Sequence, residues 1–183
     1  VRTMSVVQVC TGHGIPLVFV SSDKACLPTS FYGSTKLLAE KMVLRAGGSV
    51  VRFGNLIGSS GSVFEKWERS VREDNTLKVT DPAMTRFFIS ISEAAAFLAA
   101  QHIPGKVVFP PMLSAKMGDI AEYLVSGDES VRMTITGMRP GETLHQWIAA
   151  PDDHVRNEPG RRVLGEGERN REGFSSARAE RWE

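Results

Sequence analysis

The sequence predicts an α/β fold organised on a parallel sheet, and three observations carry that prediction. Short apolar, β-branched runs at 17–20 (LVFV), 49–53 (SVVRF) and 107–109 (VVF) have the length and composition of buried strands. Longer stretches with helical periodicity separate them, as in STKLLAEKMVLRA at 34–46. Glycine and proline punctuate the joins, at Gly47-Gly48 and Pro104-Gly105. Strands alternating with helices give a sheet covered by helices rather than a bundle or a sandwich.

In chain order, residues 3–13 (TMSVVQVCTGH) read as an apolar helix that His13-Gly14 stops. The run 17–20 is a strand ending at Ser21-Ser22, and Pro28 with its polar neighbours makes a loop. A helix opens near Tyr32 and runs to the glycine pair. Strand 49–53 is followed by a helix at 63–74 (VFEKWERSVRED) and a strand at 76–79 (TLKV). Residues 80–92 form a loop and a short strand, and Ser90-x-x-Glu93 is a capping box for the helix EAAAFLAAQH. Residues 117–125 are an amphipathic helix, and 131–136 a strand of alternating polarity. From Pro151 onward Arg, Glu and Gly dominate, so 151–172 read as a solvated loop and 151–183 as a polar, partly disordered tail.

Composition excludes several classes. The length suits one domain or a piece of one, and 42% hydrophobic residues with 23% charged is ordinary globular chemistry. A formal net charge of +1 gives no global attraction to nucleic acid or an anionic membrane. Cys10 and Cys26 form no disulfide framework, which suits a reducing cytoplasm. His13, His102, His145 and His154 are scattered without ligand spacing, so no metal is inferred. No apolar run is long enough to span a bilayer and no signal peptide is visible. The first residue is Val1, which leaves room for a preceding part with a membrane anchor.

Chemistry concentrates in residues 18–36. Tyr32 and Lys36 are four apart, so both leave the same helix face one turn from each other. Ser22 lies at a strand end, where open α/β sheets bind ligands. Free tyrosine titrates near pH ~10, a close cation lowers that value, and a phenolate so favoured is a base. A serine hydroxyl can hold the substrate hydroxyl that it deprotonates. Further on, Arg139-Pro140-Gly141-Glu142 makes a tight turn that sets a guanidinium, suited to phosphate, beside a carboxylate, suited to ribose hydroxyls.

Ser22, Tyr32 and Lys36 resemble the Ser/Thr–Tyr–Lys set of extended short-chain dehydrogenase/reductases. Asp23 and Lys24 narrow the resemblance: SSDKA at 21–25 is similar to the S/T-D-K-A signature of nucleotide-sugar 4,6-dehydratases in the polysaccharide biosynthesis (CapD-like) family. The type member of that family acts on UDP-N-acetylglucosamine. The likeness continues through VRFGNLIGSSGSV, VTDPAMTRFF and GMRPGETLH in family order, covering about residues 5–150, with a fainter echo at Phe174-Ser175-Ser176.

The resemblance implies a partial Rossmann-like parallel sheet with a small C-terminal substrate-binding subdomain. Residues 1–60 would be the C-terminal part of the NAD(P)-binding domain, 61–150 the rest of it with the nucleotide-sugar subdomain, and 151–183 the tail. It implies catalytic roles for Ser22, Asp23, Lys24, Tyr32 and Lys36. Tyr32, Lys36 and Asn55 would hold NADP or NAD; Asn55, Arg86, Arg139 and Glu142 would hold a UDP-sugar. The family's first strands and glycine-rich phosphate loop have no counterpart in these residues, and a complete subunit is expected to be a homo-oligomer. A nucleotide-sugar 4-epimerase and a non-catalytic fragment are the alternative readings. One decoy competes: strand 49–53, Gly54-x3-Gly58-x2-Gly61, helix 63–74 and strand 76–79 ending at Asp81 mimic a dinucleotide fingerprint, but without G-x-G-x-x-G spacing.

Overall fold

A computed structural model describes residues 2–165, 168–169 and 173–177. Helix α1 (Arg2–Gly12) leads into strand β1 (Val18–Ser22), which takes in both serines. A short 3-10 turn (Asp23–Ala25) follows, and then α2 (Phe31–Arg45). Strand β2 (Ser49–Phe53) lies parallel to β1, Val18 facing Ser49 and Ser22 facing Phe53. The β1–α2–β2 unit thus puts the serine end of β1 and the first turn of α2 at one edge of the sheet.

The chain then leaves this sheet for more than fifty residues. Strand β3 (Asn55–Ile57) pairs with β5 (Thr85–Ser90), which also pairs with β7 (Leu113–Lys116). Helix α3 (Val63–Asp74) ends on Asn75, whose φ of 51° supplies the left-handed cap. Strand β4 (Thr76–Val79) pairs with β8 (Arg132–Ile135), whose four residues are all exposed. Helices α4 (Ile91–Ala99) and α5 (Met117–Val125) complete this region, and the Ser90–Glu93 capping box is formed as expected. β2 and β4, the two strands of the decoy, lie in different sheets, so no dinucleotide-binding β–α–β unit is formed there.

Strand β6 (Val107–Phe109) returns to the main sheet beside β2. The polar region that sequence reads as a solvated loop then extends the same sheet. β10 (His154–Glu158) and β11 (Arg161–Leu164) form an antiparallel hairpin, and β11 pairs with β6. Two apolar residues anchor it, Val155 and Val163, both buried among charged neighbours. The sheet order is β1-β2-β6-β11-β10-β12, with β12 at Glu168–Arg169. Strand β9 (Trp147–Ala149) pairs with β13 (Phe174–Ser175). The expectation of a polar, partly disordered tail over 151–183 thus gives way to strands at 154–158 and 161–164, while residues 166–167, 170–172 and 178–183 lie outside the described ones.

The main core joins Val51, Phe53, Val108, Phe109 and Val163 from the large sheet to Ile148 of β9 and to Phe87 and Ile89 of β5. A second core around Trp67, Leu77, Val79 and Met117 supports α3, β4 and α5. The clefts described next open between these two cores.

Candidate functional site

Three features fix the site's central segment. Ser22, extended at φ −142°, caps the 3-10 turn by accepting from the Lys24 amide at 3.3 Å. Its hydroxyl donates to Asp23 Oδ1 at 2.8 Å. Ser30 then caps α2 by accepting from the Gly33 amide at 3.1 Å. Gly33 replaces a better helix former because its Cα lies against the preceding turn: a Cβ there would collide with the Lys24 carbonyl. That close approach holds Tyr32 over the strand end.

Lys36 lies one turn along α2. Its Nζ donates to the Val20 carbonyl at 3.2 Å and stands 5.0 Å from the Phe19 ring centroid and 5.8 Å from that of Tyr32. Tyr32 is about half exposed, so its phenol is open to a ligand. Asp23 is fully buried, and its Oδ1 also accepts from Lys24 Nζ at 3.1 Å. Asp23 Oδ2 has no hydrogen-bond partner, one of two such buried side-chain atoms among the described residues. A buried acceptor left unpaired is costly and asks for a partner from outside the chain.

Lys24 and Asn55 line all three clefts around this centre. The first, about 390 Å³, is bounded by Ser22, Tyr32, Lys36 and the 58–62 loop. A phenol, an ammonium and an amide around an open floor, from Tyr32, Lys36 and Asn55, have the chemistry that could hold the nicotinamide end of a dinucleotide. The second and third, about 360 and 460 Å³, share Arg86, Arg139 and Glu142. Thr29 Oγ1 donates to the Gly141 carbonyl at 2.8 Å, drawing the Arg139–Glu142 turn against the start of α2. Every predicted site residue but Asp23 therefore faces one connected set of clefts; Asp23 is fully buried behind Lys24 and lines none of the three.

Their hydrogen bonds within the chain differ from one residue to the next. Arg86 is paired with no carboxylate: Nη1 donates to the carbonyls of Thr85 and Leu144, and Nη2 to that of Thr143. Its fork is engaged in holding the 143–144 backbone. Burial lowers its pKa, against the opposing charges of Asp23 and Glu142. The Glu142 carboxylate accepts from the Arg139 amide at 2.9 Å instead of pairing with its side chain. The Arg139 guanidinium is exposed and makes no ion pair among the described residues. Asn55 Nδ2 donates to the Phe87 carbonyl at 3.1 Å, which leaves its oxygen for a ligand.

A second layer escapes the sequence reading. Arg52, in the middle of the wholly buried β2, donates from Nε and Nη2 to Glu40 of α2 at 2.9 and 2.8 Å, and from Nη1 to the Ile148 carbonyl. Ser21 adds a 2.6 Å hydrogen bond to Glu40. Burial pulls the Arg52 pKa down, but the Glu40 hydrogen bond and charge outweigh it, so the net shift is upward. The available signal was spacing: Glu40 continues the Tyr32–Lys36 stripe by one more turn.

The family described as "Polysaccharide biosynthesis protein" matches residues 1–164. The chain belongs to that family, a CapD-like branch of the extended short-chain dehydrogenase/reductases. Within it, the UDP-N-acetylglucosamine 4,6-dehydratase (inverting) of Campylobacter jejuni is 32% identical over 163 residues, 81% of this chain and 48% of the relative. The capsular polysaccharide biosynthesis protein CapD of Staphylococcus aureus is 35% identical over 150 residues, 74% of this chain and 25% of that one. The solved structure of Pen from Bacillus thuringiensis superposes with a TM-score of 0.87 at 26% identity, over 97% of this chain and 63% of that chain. The chain spans about half the length of the dehydratase relative it matches.

Proposed function

We propose that this chain carries the catalytic centre and sugar-nucleotide clefts of a nucleotide-sugar 4,6-dehydratase acting on substrates of the UDP-N-acetylglucosamine type. The observation that supports this reading is the Asp23–Lys24 pair, 3.1 Å apart, in which Lys24 lines all three clefts and Asp23 is buried directly behind it. Oxidation at carbon 4 needs only the Ser–Tyr–Lys set, whereas elimination across carbons 5 and 6 needs an additional base and acid. The names of the relatives support the same class.

A bound nicotinamide, NAD or NADP, would supply reversible hydride storage, so that the hydride lost from carbon 4 is returned at carbon 6 once water has left, with Lys24 giving its proton back at carbon 5. Tyr32 takes the proton of the sugar 4-hydroxyl, with Ser22 aligning that hydroxyl and the Lys36 ammonium fixed alongside. Lys24 removes the proton on carbon 5, which a ketone at carbon 4 acidifies. Asp23 gives a proton to the departing 6-hydroxyl, which leaves as water. The 3.1 Å contact between Lys24 Nζ and Asp23 Oδ1 supports a base and an acid that act together. Asn55 and Glu142 offer oxygen acceptors to hydroxyls, and Arg139 offers an unengaged guanidinium to the diphosphate.

The test is product analysis with the protein in a large excess of cofactor, supplied above its dissociation constant. Wild type should convert UDP-N-acetylglucosamine to a 4-keto-6-deoxy product, and Lys24→Ala and Asp23→Asn should lose that product by ~10²–10⁴-fold while still reducing bound cofactor. A 4-epimer with no keto product would make the protein an epimerase and remove the roles of Asp23 and Lys24.

A further inference from the structure

The Arg139–Glu142 turn leads into a constellation that the chemistry above leaves unused. Thr85, the first residue of β5, has its Oγ1 2.9 Å from His145 Nδ1 and 2.7 Å from Ser176 Oγ. Ser176 Oγ is also 2.9 Å from the Thr85 carbonyl and accepts from the Gln146 amide at 2.8 Å. Thr85 and Ser176 are both buried. Each hydroxyl has one proton to give, and a carbonyl can only accept. Ser176 therefore spends its proton on the Thr85 carbonyl, Thr85 donates to Ser176 Oγ, and His145 Nδ1 donates to Thr85. The reverse order, with Thr85 donating to His145, takes the Ser176 proton for Thr85 Oγ1 and leaves the 2.9 Å contact with two lone pairs and no hydrogen. The ring is thus held as an Nδ1–H donor, and Nε2 has no hydrogen-bond partner among the described residues.

His145 lines the cleft of about 360 Å³ with Lys24, Cys26, Tyr32, Arg86, Arg139 and Glu142. We propose that His145 is a further ligand-binding residue of this cleft, meeting an anionic diphosphate through Nε2 and strengthening that contact when protonated. The proposal rests on the nucleotide-sugar reading above and adds to it a dependence of affinity on pH. A neutral Nδ1–H imidazole turns a bare lone pair towards a ligand, which repels a phosphate oxygen. Gain of a proton converts Nε2 to a charged donor, and histidine is the side chain that makes this change near neutrality. Nδ1 donates to Thr85 in both states, so nothing behind the ring must rearrange. Of the other groups facing the cleft, burial pushes the Cys26 thiol up to about 12, so it stays neutral. Lys24, Tyr32, Arg86, Arg139 and Glu142 act alike in wild type and in a variant at position 145.

The experiment is calorimetric titration of the chain with UDP-N-acetylglucosamine, whose diphosphate diester stays fully ionised, at pH ~5.5 and ~8. His145→Asn keeps an amide donor where Nδ1 lies and removes Nε2. Wild type should bind about fivefold more tightly at the lower pH, the gain expected when a neutral contact becomes charge-assisted, while His145→Asn shows no such gain. Equal pH slopes in the two proteins overturn the proposal alone. Absence of binding by both at either pH overturns the nucleotide-sugar reading and the proposal with it. Nitrogen-15 NMR of the wild-type imidazole checks the relay without ligand or variant: the neutral ring should carry its proton on Nδ1, and an Nε2–H ring overturns the assignment.

Discussion

Cys26 sits one residue beyond the Asp23–Ala25 turn, buried against the same cleft wall that Lys24 forms. Desolvation raises its pKa from 9.0 to about 12, Arg52 opposing this and Asp153, Glu40 and Asp23 reinforcing it. The sign follows from which form each state favours. Below pH 9 the thiol is protonated in both the folded and unfolded chain, and its burial contributes in full. Between pH 9 and about 12 the unfolded chain releases the proton and the folded chain does not, so stability falls as pH rises. Cys26→Ala should remove this part of the alkaline decline, measured as melting temperature against pH. In native protein an alkylating reagent should label the half-buried Cys10 first and Cys26 only on unfolding; rapid labelling of Cys26 would show its burial to be wrong. At this scale the sequence was informative where partners are close in the chain. Tyr32, Lys36 and the Asp23–Lys24 pair could be recognised because their relations span four residues or fewer. The backbone partners of Arg86 could not, since the carbonyls it holds lie fifty-seven and fifty-eight residues away.

Helix α2 is placed by what lies beneath it. The Glu40–Arg52 pair ties it to β2, Ser21 ties it to β1, and the Ile148 carbonyl ties the same guanidinium to β9. A buried ion pair is weak evidence of net stability, but removing one partner strands the other charge and costs roughly 3–5 kcal/mol. Glu40→Gln and Arg52→Met should each destabilise on that scale in denaturant unfolding. The double change Glu40→Leu with Arg52→Met should cost clearly less than their sum, because no charge is left alone. Additive losses would mean that the two groups act independently. The strands and helices at 49–53, 63–74, 76–79 and 117–125 were legible from periodicity because each carries its own apolar pattern. The β10–β11 hairpin was not: two buried valines in a run of charges give no periodic signal, and pairing with the edge of β6 supplies what the local sequence lacks.

At the scale of the molecule, the sheet is covered unevenly. The hairpin protects the β6 edge, whereas β1 pairs on one side only and Val20 within it is 40% exposed. Helix α1 has no fully buried residue. An unpaired edge with apolar surface nearby invites further strands or other copies. The same geometry bears on cofactor binding. A dinucleotide's pyrophosphate needs a glycine-rich turn whose amides, at a helix N-terminus, are free to donate. Among the described residues the loop with that composition, 58–62 before α3, has such amides engaged: Ser62 Oγ accepts from the Glu65 amide, and the Glu65 carboxylate accepts from the Gly61 amide. A carboxylate already in the anion position repels a phosphate, and β2 and β4 on either side belong to different sheets. Tyr32, Lys36 and Asn55 can hold the nicotinamide end, but that end carries the smaller share of dinucleotide affinity without the pyrophosphate. The chain by itself should therefore bind NAD and NADP no more tightly than ~1 mM, about −4 kcal/mol, while retaining its affinity for a UDP-sugar. Calorimetric titration with each ligand separates the two halves of the claim. Micromolar binding of either dinucleotide would mean that Glu65 yields its place and that the 58–62 loop is a phosphate site after all.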